Sequence, residues 1–139
     1  MPAKDRIHDQ VKHALIADGW TITSENYTIR IDERNVVIDI FAERGLLAAR
    51  RNDEHIAVEV KSFLGPSPVN DLRDAIGQYI LYRSVLRRAD PHRMPYLAVD
   101  SAAAAGILSE PIGQAILHDE HVRLIVVDIQ QERIIEWIP

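Results

Sequence analysis

The sequence contains no cysteine. That excludes disulfides and thiolate metal sites, and it suits a protein of the reducing cytoplasm. No apolar run approaches the ~18 residues that a membrane span requires. The N-terminal "MPAKDRIHDQ" is charged where a signal peptide needs an apolar stretch. Neither export nor membrane association is therefore expected. Positive charge is in short supply: 16 Lys and Arg against 21 Asp and Glu leave a net charge of −5. Such a chain has no global field to draw it to nucleic acid, so contact with DNA needs a local basic face or metal ions. The six glycines fall at no phosphate-binding spacing. There is no Cys-His arrangement, no Ser-His-Asp set that can be argued, no internal repeat and no low-complexity linker.

What is present is 139 residues, 47% hydrophobic and 27% charged, which fits one globular domain over 1–139 with a core of its own. "KDRIHDQVKHALIADGW" reads as a helix, with Ile7, Val11, Ala14 and Leu15 on one stripe and Gly19 supplying a left-handed end. "TITSENYTIRID" alternates like a strand and is broken near Asn26. "NVVIDIFAE" is a strand, Gly45 marks a bend, "LLAARR" continues extended, "NDEH" is a turn, and "IAVEVKSF" completes a hairpin. Pro66 and Pro68 break the chain before a helix from Val69 to about Leu86, capped by Asn70 or Asp71. "YLAV" is a strand, 102–118 a helix interrupted near Pro111, and "VRLIVVDI" and "RIIEWI" are closing strands. The order αβββαβαββ predicts an α/β domain with a mixed sheet flanked by helices.

Within this pattern "IAVEVKSF" is unusual, because Glu59 and Lys61 interrupt a run of strand-formers with opposite charges. Side chains alternate faces along a strand, so Ala57, Glu59 and Lys61 share one face and Val58 and Val60 the other. The same rule places Val37, Asp39 and Phe41 together, and a hairpin brings Asp39 beside Glu59. Two carboxylates in an apolar setting repel and favour protonation unless a divalent cation joins them. Hard oxygen ligands suit Mg²⁺ or Mn²⁺. Asp39 and Glu59 would hold the ion, the Val60 carbonyl would add a ligand, and Lys61 would serve a phosphate oxygen or the attacking water.

Asp39 followed twenty positions later by Glu59-Val60-Lys61 resembles the PD-(D/E)-x-K nuclease signature, with Ile38 where the motif name has proline. Gln78 and Tyr82 in "GQYILY" match the Q-x-x-x-Y pattern of a subset of that superfamily and share a helix face. The element order resembles its αβββαβ core, which implies a restriction-endonuclease-like fold. More closely, "KDRIHDQVKHAL" with "GWTIT", "IAVEVKSFLG", "GQYILYR" and "YLAV" resemble the XisH family, the fdxN-element excision controlling factors of cyanobacteria, over roughly residues 4–99. The resemblance implies a role in programmed DNA excision during heterocyst differentiation, with DNA and an XisI-type protein as partners and a separate recombinase. It also implies that Gln78 orients the lysine or a phosphate and that Tyr82 packs beside it. Superfamily members often add an acid from the first helix, and Asp5 fits that role, with His8 ordering a water. Asp9 reads as an acid complementing the helix dipole.

Other features read as structural. "HDEH" at 118–121 lacks a third metal ligand, and His13, His55 and His92 read as solvated. Arg83, Arg87, Arg88 and Arg93, with Arg50 and Arg51, read as solvated basic runs able to contact phosphate. Trp20 and Trp137 read as core or interface anchors. Two rivals to a nuclease-like enzyme follow. One is a catalytically inactive factor that binds DNA or a protein. The other is an interaction module that assembles through exposed apolar strands such as "VRLIVVDI", which leaves room for a homo-oligomer.

Overall fold

A computed structural model describes residues 4–46 and 49–139, with side-chain surroundings for 4–45 and 54–139. These residues form α1 (His8–Ala17), β1 (Thr21–Ile31), β2 (Arg34–Leu46), β3 (Ala49–Val60), α2 (Pro68–Ala89), β4 (Met94–Asp100), α3 (Ser101–Ala105), a 3₁₀ turn (Ile107–Ser109), α4 (Pro111–Asp119), β5 (Leu124–Asp128) and β6 (Arg133–Ile138). The six strands make one sheet in sequence order. β1, β2 and β3 run antiparallel, β3, β4 and β5 run parallel, and β6 returns antiparallel on β5. This is the expected α/β class with a mixed sheet flanked by helices, and it is consistent with a restriction-endonuclease-like core. No described helix is long and apolar enough to cross a membrane.

Helices cover both sides of the sheet, so its central strands are apolar on both faces. The stripe of Val11, Ala14 and Leu15 on α1, with Ile7 at its N-cap, packs against Ile40, Val58, Val60, Ala98, Ile125 and Val127. On the other side Leu72, Ala75, Ile76 and Tyr79 of α2 pack with Leu97, Val99, Leu124 and Val126. Val58 and Val60 therefore face α1, while Ala57 joins a third cluster with Val85 and Leu86 of α2. Each fully buried Leu, Ile or Val contributes about 2 kcal/mol of hydrophobic stabilisation.

Strict alternation fails in β1 and β2 at the irregularity between Ile22 and Ser24 and again near Asn26. Glu25 bonds to α1, yet Tyr27 two residues later stacks on Phe41 at 4.5 Å between ring centroids. Ile38 likewise joins the cluster of Phe41 and Ala57, whereas Ile40 belongs with α1. Asn26, with φ of 51°, supplies the twist that switches faces. This corrects the assignment of Val37, Asp39 and Phe41 to one regular face. The β2–β3 register ends at Ile40↔Val58, leaving Asp39 and Glu59 as the next residue on each strand.

Several local expectations change as well. "NDEH" is not a turn but part of β3, with His55 paired to Glu43 and Glu54 to Arg44. The ladder continues because charged cross-strand pairs, Arg44–Glu54 and His55–Glu43, replace apolar ones. Residues 47 and 48 of "LLAARR", and the side chains of Arg50 and Arg51, lie outside the described residues. The α2 cap is Ser67, whose hydroxyl accepts from the Asn70 N–H at 3.3 Å, and Pro68 opens the helix. The interruption expected near Pro111 is present: α3 ends at Ala105 and Pro111 opens α4. "VRLIVVDI" is not an exposed strand: Leu124 to Val127 are all buried.

Candidate functional site

The carboxyl end of β3 is where the polar side chains converge. This is also where open α/β sheets place their ligands. Beyond Ile40↔Val58, the Asp39 carboxylate takes over the role of backbone: its Oδ2 accepts the Val60 N–H at 2.8 Å. Glu59 lies within hydrogen-bonding reach of Asp39. It is buried at 7% exposure, and its Oε2 has no partner among the described residues. Burial first, and the neighbouring Asp39 second, push the Glu59 carboxyl up to about 9. Burial also raises Asp39, partly offset by the Val60 N–H bond. At neutrality the pair therefore shares a proton, with protonated Glu59 donating to Asp39. This acid pair is the core of the site, and an unpartnered buried oxygen beside a hydrogen-bonded carboxylate is a donor set that fits a hard divalent cation.

The remaining candidates surround the pair at different removes. Asp5 ties the start of the chain to the end of β3: Oδ2 accepts the Ser62 N–H and Oδ1 the Ile7 N–H, each at 3.1 Å. It is near enough to Asp39 and Glu59 to raise both by charge repulsion. His8 is fully buried. Its Nε2 meets Glu25 Oε1 at 2.9 Å, while Nδ1 is buried without a partner among the described residues. Glu25 is held ionised by hydrogen bonds from Lys12, at 2.8 Å, and from His8, so it accepts the Nε2 proton. His8, Asp9 and Glu25 also cluster closely enough to hold a metal. Lys12 already pairs with Glu25 and Lys4 with Asp9, so that cluster is a neutralised ion-pair network.

Lys61 follows Glu59 on the α2 face, and its Nζ lies 3.7 Å from Asp71 Oδ1 in the first turn of α2. Asp71 Oδ2 also accepts the Gly65 N–H at 2.9 Å. A Cβ on Gly65 would come within 2.7 Å of that carboxylate, so the loop passes Asp71 as closely as it does because residue 65 is glycine. Between them Phe63 holds a φ of 56°, a conformation that costs a non-glycine residue about 1 kcal/mol or more. The segment that carries Lys61 away from the sheet is thus strained and clamped at both ends. Tyr82 lines a small cavity with Ile38, Ala57 and Glu59, and burial raises its hydroxyl pKa. Gln78, one turn earlier, is exposed and makes no side-chain hydrogen bond among the described residues.

The structure therefore brings together Asp39, Glu59, Asp5, His8 and Tyr82, sets Lys61 beside them in an ion pair, and leaves Gln78 at the rim. Two participants were missed from the sequence. In the sequence Asp71 reads only as a helix-cap candidate. Glu25 was not singled out, although a glutamate beside a strand break at Asn26 was the available signal.

The family model described as XisH protein matches residues 1–135. Two solved structures are similar along nearly the whole chain. The crystal structure of an XisH family protein from Nostoc punctiforme PCC 73102 is 38% identical with a TM-score of 0.88, covering 97% of this chain and 100% of that one. The crystal structure of an fdxN element excision controlling factor protein from Anabaena variabilis is 37% identical with a TM-score of 0.87, covering 98% and 100%. No curated protein matches.

Proposed function

The chain belongs to the XisH family, and from that premise we propose that it is an excision controlling factor that acts on DNA through a divalent cation held by Asp39 and Glu59. The observation that carries this reading is the buried acid pair. Glu59 retains a proton to about 9 and keeps Oε2 without a partner, a costly arrangement in an apolar setting. Such perturbed pairs concentrate at functional sites. The reading is also supported by the αβββαβ order through β4 and the Glu59-Val60-Lys61 spacing, both as in PD-(D/E)-x-K nucleases.

Asp39 and Glu59 would hold Mg²⁺ or Mn²⁺, with the Val60 carbonyl as a third oxygen. Bound there, the ion supplies a Lewis acid and an ionised water suited to phosphodiester hydrolysis. The chain's own residues do the rest. The Val60 N–H fixes Asp39 before any ligand arrives, and Glu59 releases its proton to become a ligand. Lys61, oriented by Asp71, places an ammonium where charge develops on phosphate. Tyr82 and Ile38 keep water from the Glu59 side. His8, set by Glu25, offers Nδ1 as a proton acceptor, and Asp5 fixes the approach of α1.

A second reading is favoured by one contact. Lys61 is already paired with Asp71, and Gln78 stands apart, as in a factor that keeps the fold without cleavage. That factor would work by binding DNA or an XisI-type partner. Incubation of supercoiled, branched and single-stranded DNA with Mg²⁺ or Mn²⁺ separates the two. The nuclease reading predicts nicking that falls about 100-fold or more in Asp39→Asn and Lys61→Ala, the scale of losing one charge-stabilising group. A wild-type protein that leaves every substrate intact, yet co-elutes with an XisI-type protein or retains DNA, establishes the second reading.

A further inference from the structure

We propose that a second site, separate from the acid pair, binds a phosphoryl oxyanion in an arginine-lined cleft between the C-terminal half of α2 and the starts of β4 and β5. The cleft is about 150 Å³, the scale of one phosphate group, and four of its lining residues are Arg83, Arg87, Arg93 and Arg123. No carboxylate lines it among the described residues, although the protein as a whole is acidic. It lies at Met94 and Pro95, which pair with Ile56 and Ala57, so about 10 Å of strand separates it from Glu59.

The four guanidiniums are not equivalent. Arg93 is largely committed: Asp90, Glu43 and the carbonyls of Ile56 and Ala42 accept four of its five N–H groups. Arg83 spends its terminal nitrogens on Glu120, but its Nε is buried and has no acceptor among the described residues. Arg87 and Arg123 have no acidic partner among the described residues. A buried N–H without an acceptor costs about 1–3 kcal/mol. An oxyanion in the cleft would neutralise the two free charges of Arg87 and Arg123 at once. Three donors around a compact space match a tetrahedral dianion with several oxygens better than a single carboxylate, which one arginine fork satisfies. Arg87 also sits in the last turn of α2, where a cation complements the helix dipole. That role explains neither Arg123 nor the orphaned Nε of Arg83.

The test is NMR of the arginine Nε–H signals during titration with inorganic phosphate at fixed ionic strength. Arg83 and Arg123 should shift saturably, and the Arg87→Gln/Arg123→Gln double variant should bind at least about tenfold more weakly, the loss of one charge-assisted bond or more. Both positions are at least partly exposed, so the fold should survive. Arg73→Gln, at an exposed arginine outside the cleft, should match wild type. Competition by a short duplex oligonucleotide at the same signals identifies the source as a nucleic-acid backbone. Phosphate binding without that competition identifies a free phosphate or nucleotide. Absence of saturable shifts, equal binding by the double variant, or tighter binding of a glutamate-rich peptide than of phosphate overturns the proposal.

Discussion

Replacing Glu59 by glutamine should raise the stability of the metal-free protein at pH 7 by about 3 kcal/mol and flatten its dependence on pH. The sign follows from linkage. The Glu59 carboxyl titrates at about 9 when folded, against an ordinary value near 4.5 when unfolded. Between those values the unfolded chain has lost a proton that the native state keeps. Stability from this group is therefore complete below pH 4.5 and declines by about 1.4 kcal/mol per unit as pH rises toward 9. Glutamine has no proton to lose and keeps a donor for Asp39. Urea unfolding at pH 5, 6, 7 and 8 in the presence of a chelator reads the effect. Wild-type stability should fall across the series while that of Glu59→Gln stays level. A level wild-type profile, or a glutamine variant weaker than wild type at pH 8, contradicts the assignment of a strained acid pair. A variant more stable than its parent at a buried polar position is what a site selected for function implies.

Arg93→Ala should have the opposite effect, a loss of about 2–3 kcal/mol, the scale of leaving buried polar groups without their partner. Its guanidinium is only 8% exposed and lies 4.2 Å over the Phe41 ring. It donates to Asp90, Glu43 and the carbonyls of Ile56 and Ala42, so truncation removes a donor from two part-exposed carboxylates and from two buried carbonyls. Arg93→Lys should recover only part of the loss, because one ammonium cannot span that fork. Denaturant midpoints for the three proteins check this, and a change below about 1 kcal/mol for Arg93→Ala would show that the network is dispensable.

The same arginine shows where sequence reading stops. In "RRADPHRMP" Arg93 looks like a member of a solvated basic run. Only the three-dimensional pairing of β3 with β4 delivers it to Phe41 and to the β2–β3 carbonyls. The helix α1 and the central strands were legible because their burial follows simple periods of 3.6 and 2. The acid pair was legible from the hairpin: Asp39 and Glu59 are charges that interrupt two apolar strands paired with each other, and the register Ile40↔Val58 makes them neighbours. The face switch at Asn26 was visible only as a break, since its effect on Ile38 depends on how β1 and β2 twist together. "NDEH" misled because polar residues signal turns, whereas here cross-strand charge pairs extend a ladder. The pairings of Asp71 with Lys61 and of Glu25 with His8 are not legible in the sequence because the partners lie ten and seventeen residues apart on other elements.

Calorimetric titration of Mn²⁺ and Mg²⁺ into the protein at pH 7, in two buffers of different ionisation heat, addresses the acid pair itself. The account predicts one cation bound per chain, release of about one proton as Glu59 ionises, and loss of binding in Asp39→Asn. A protein that takes up neither ion, or an Asp39→Asn variant that binds as wild type does with no proton released, would contradict it.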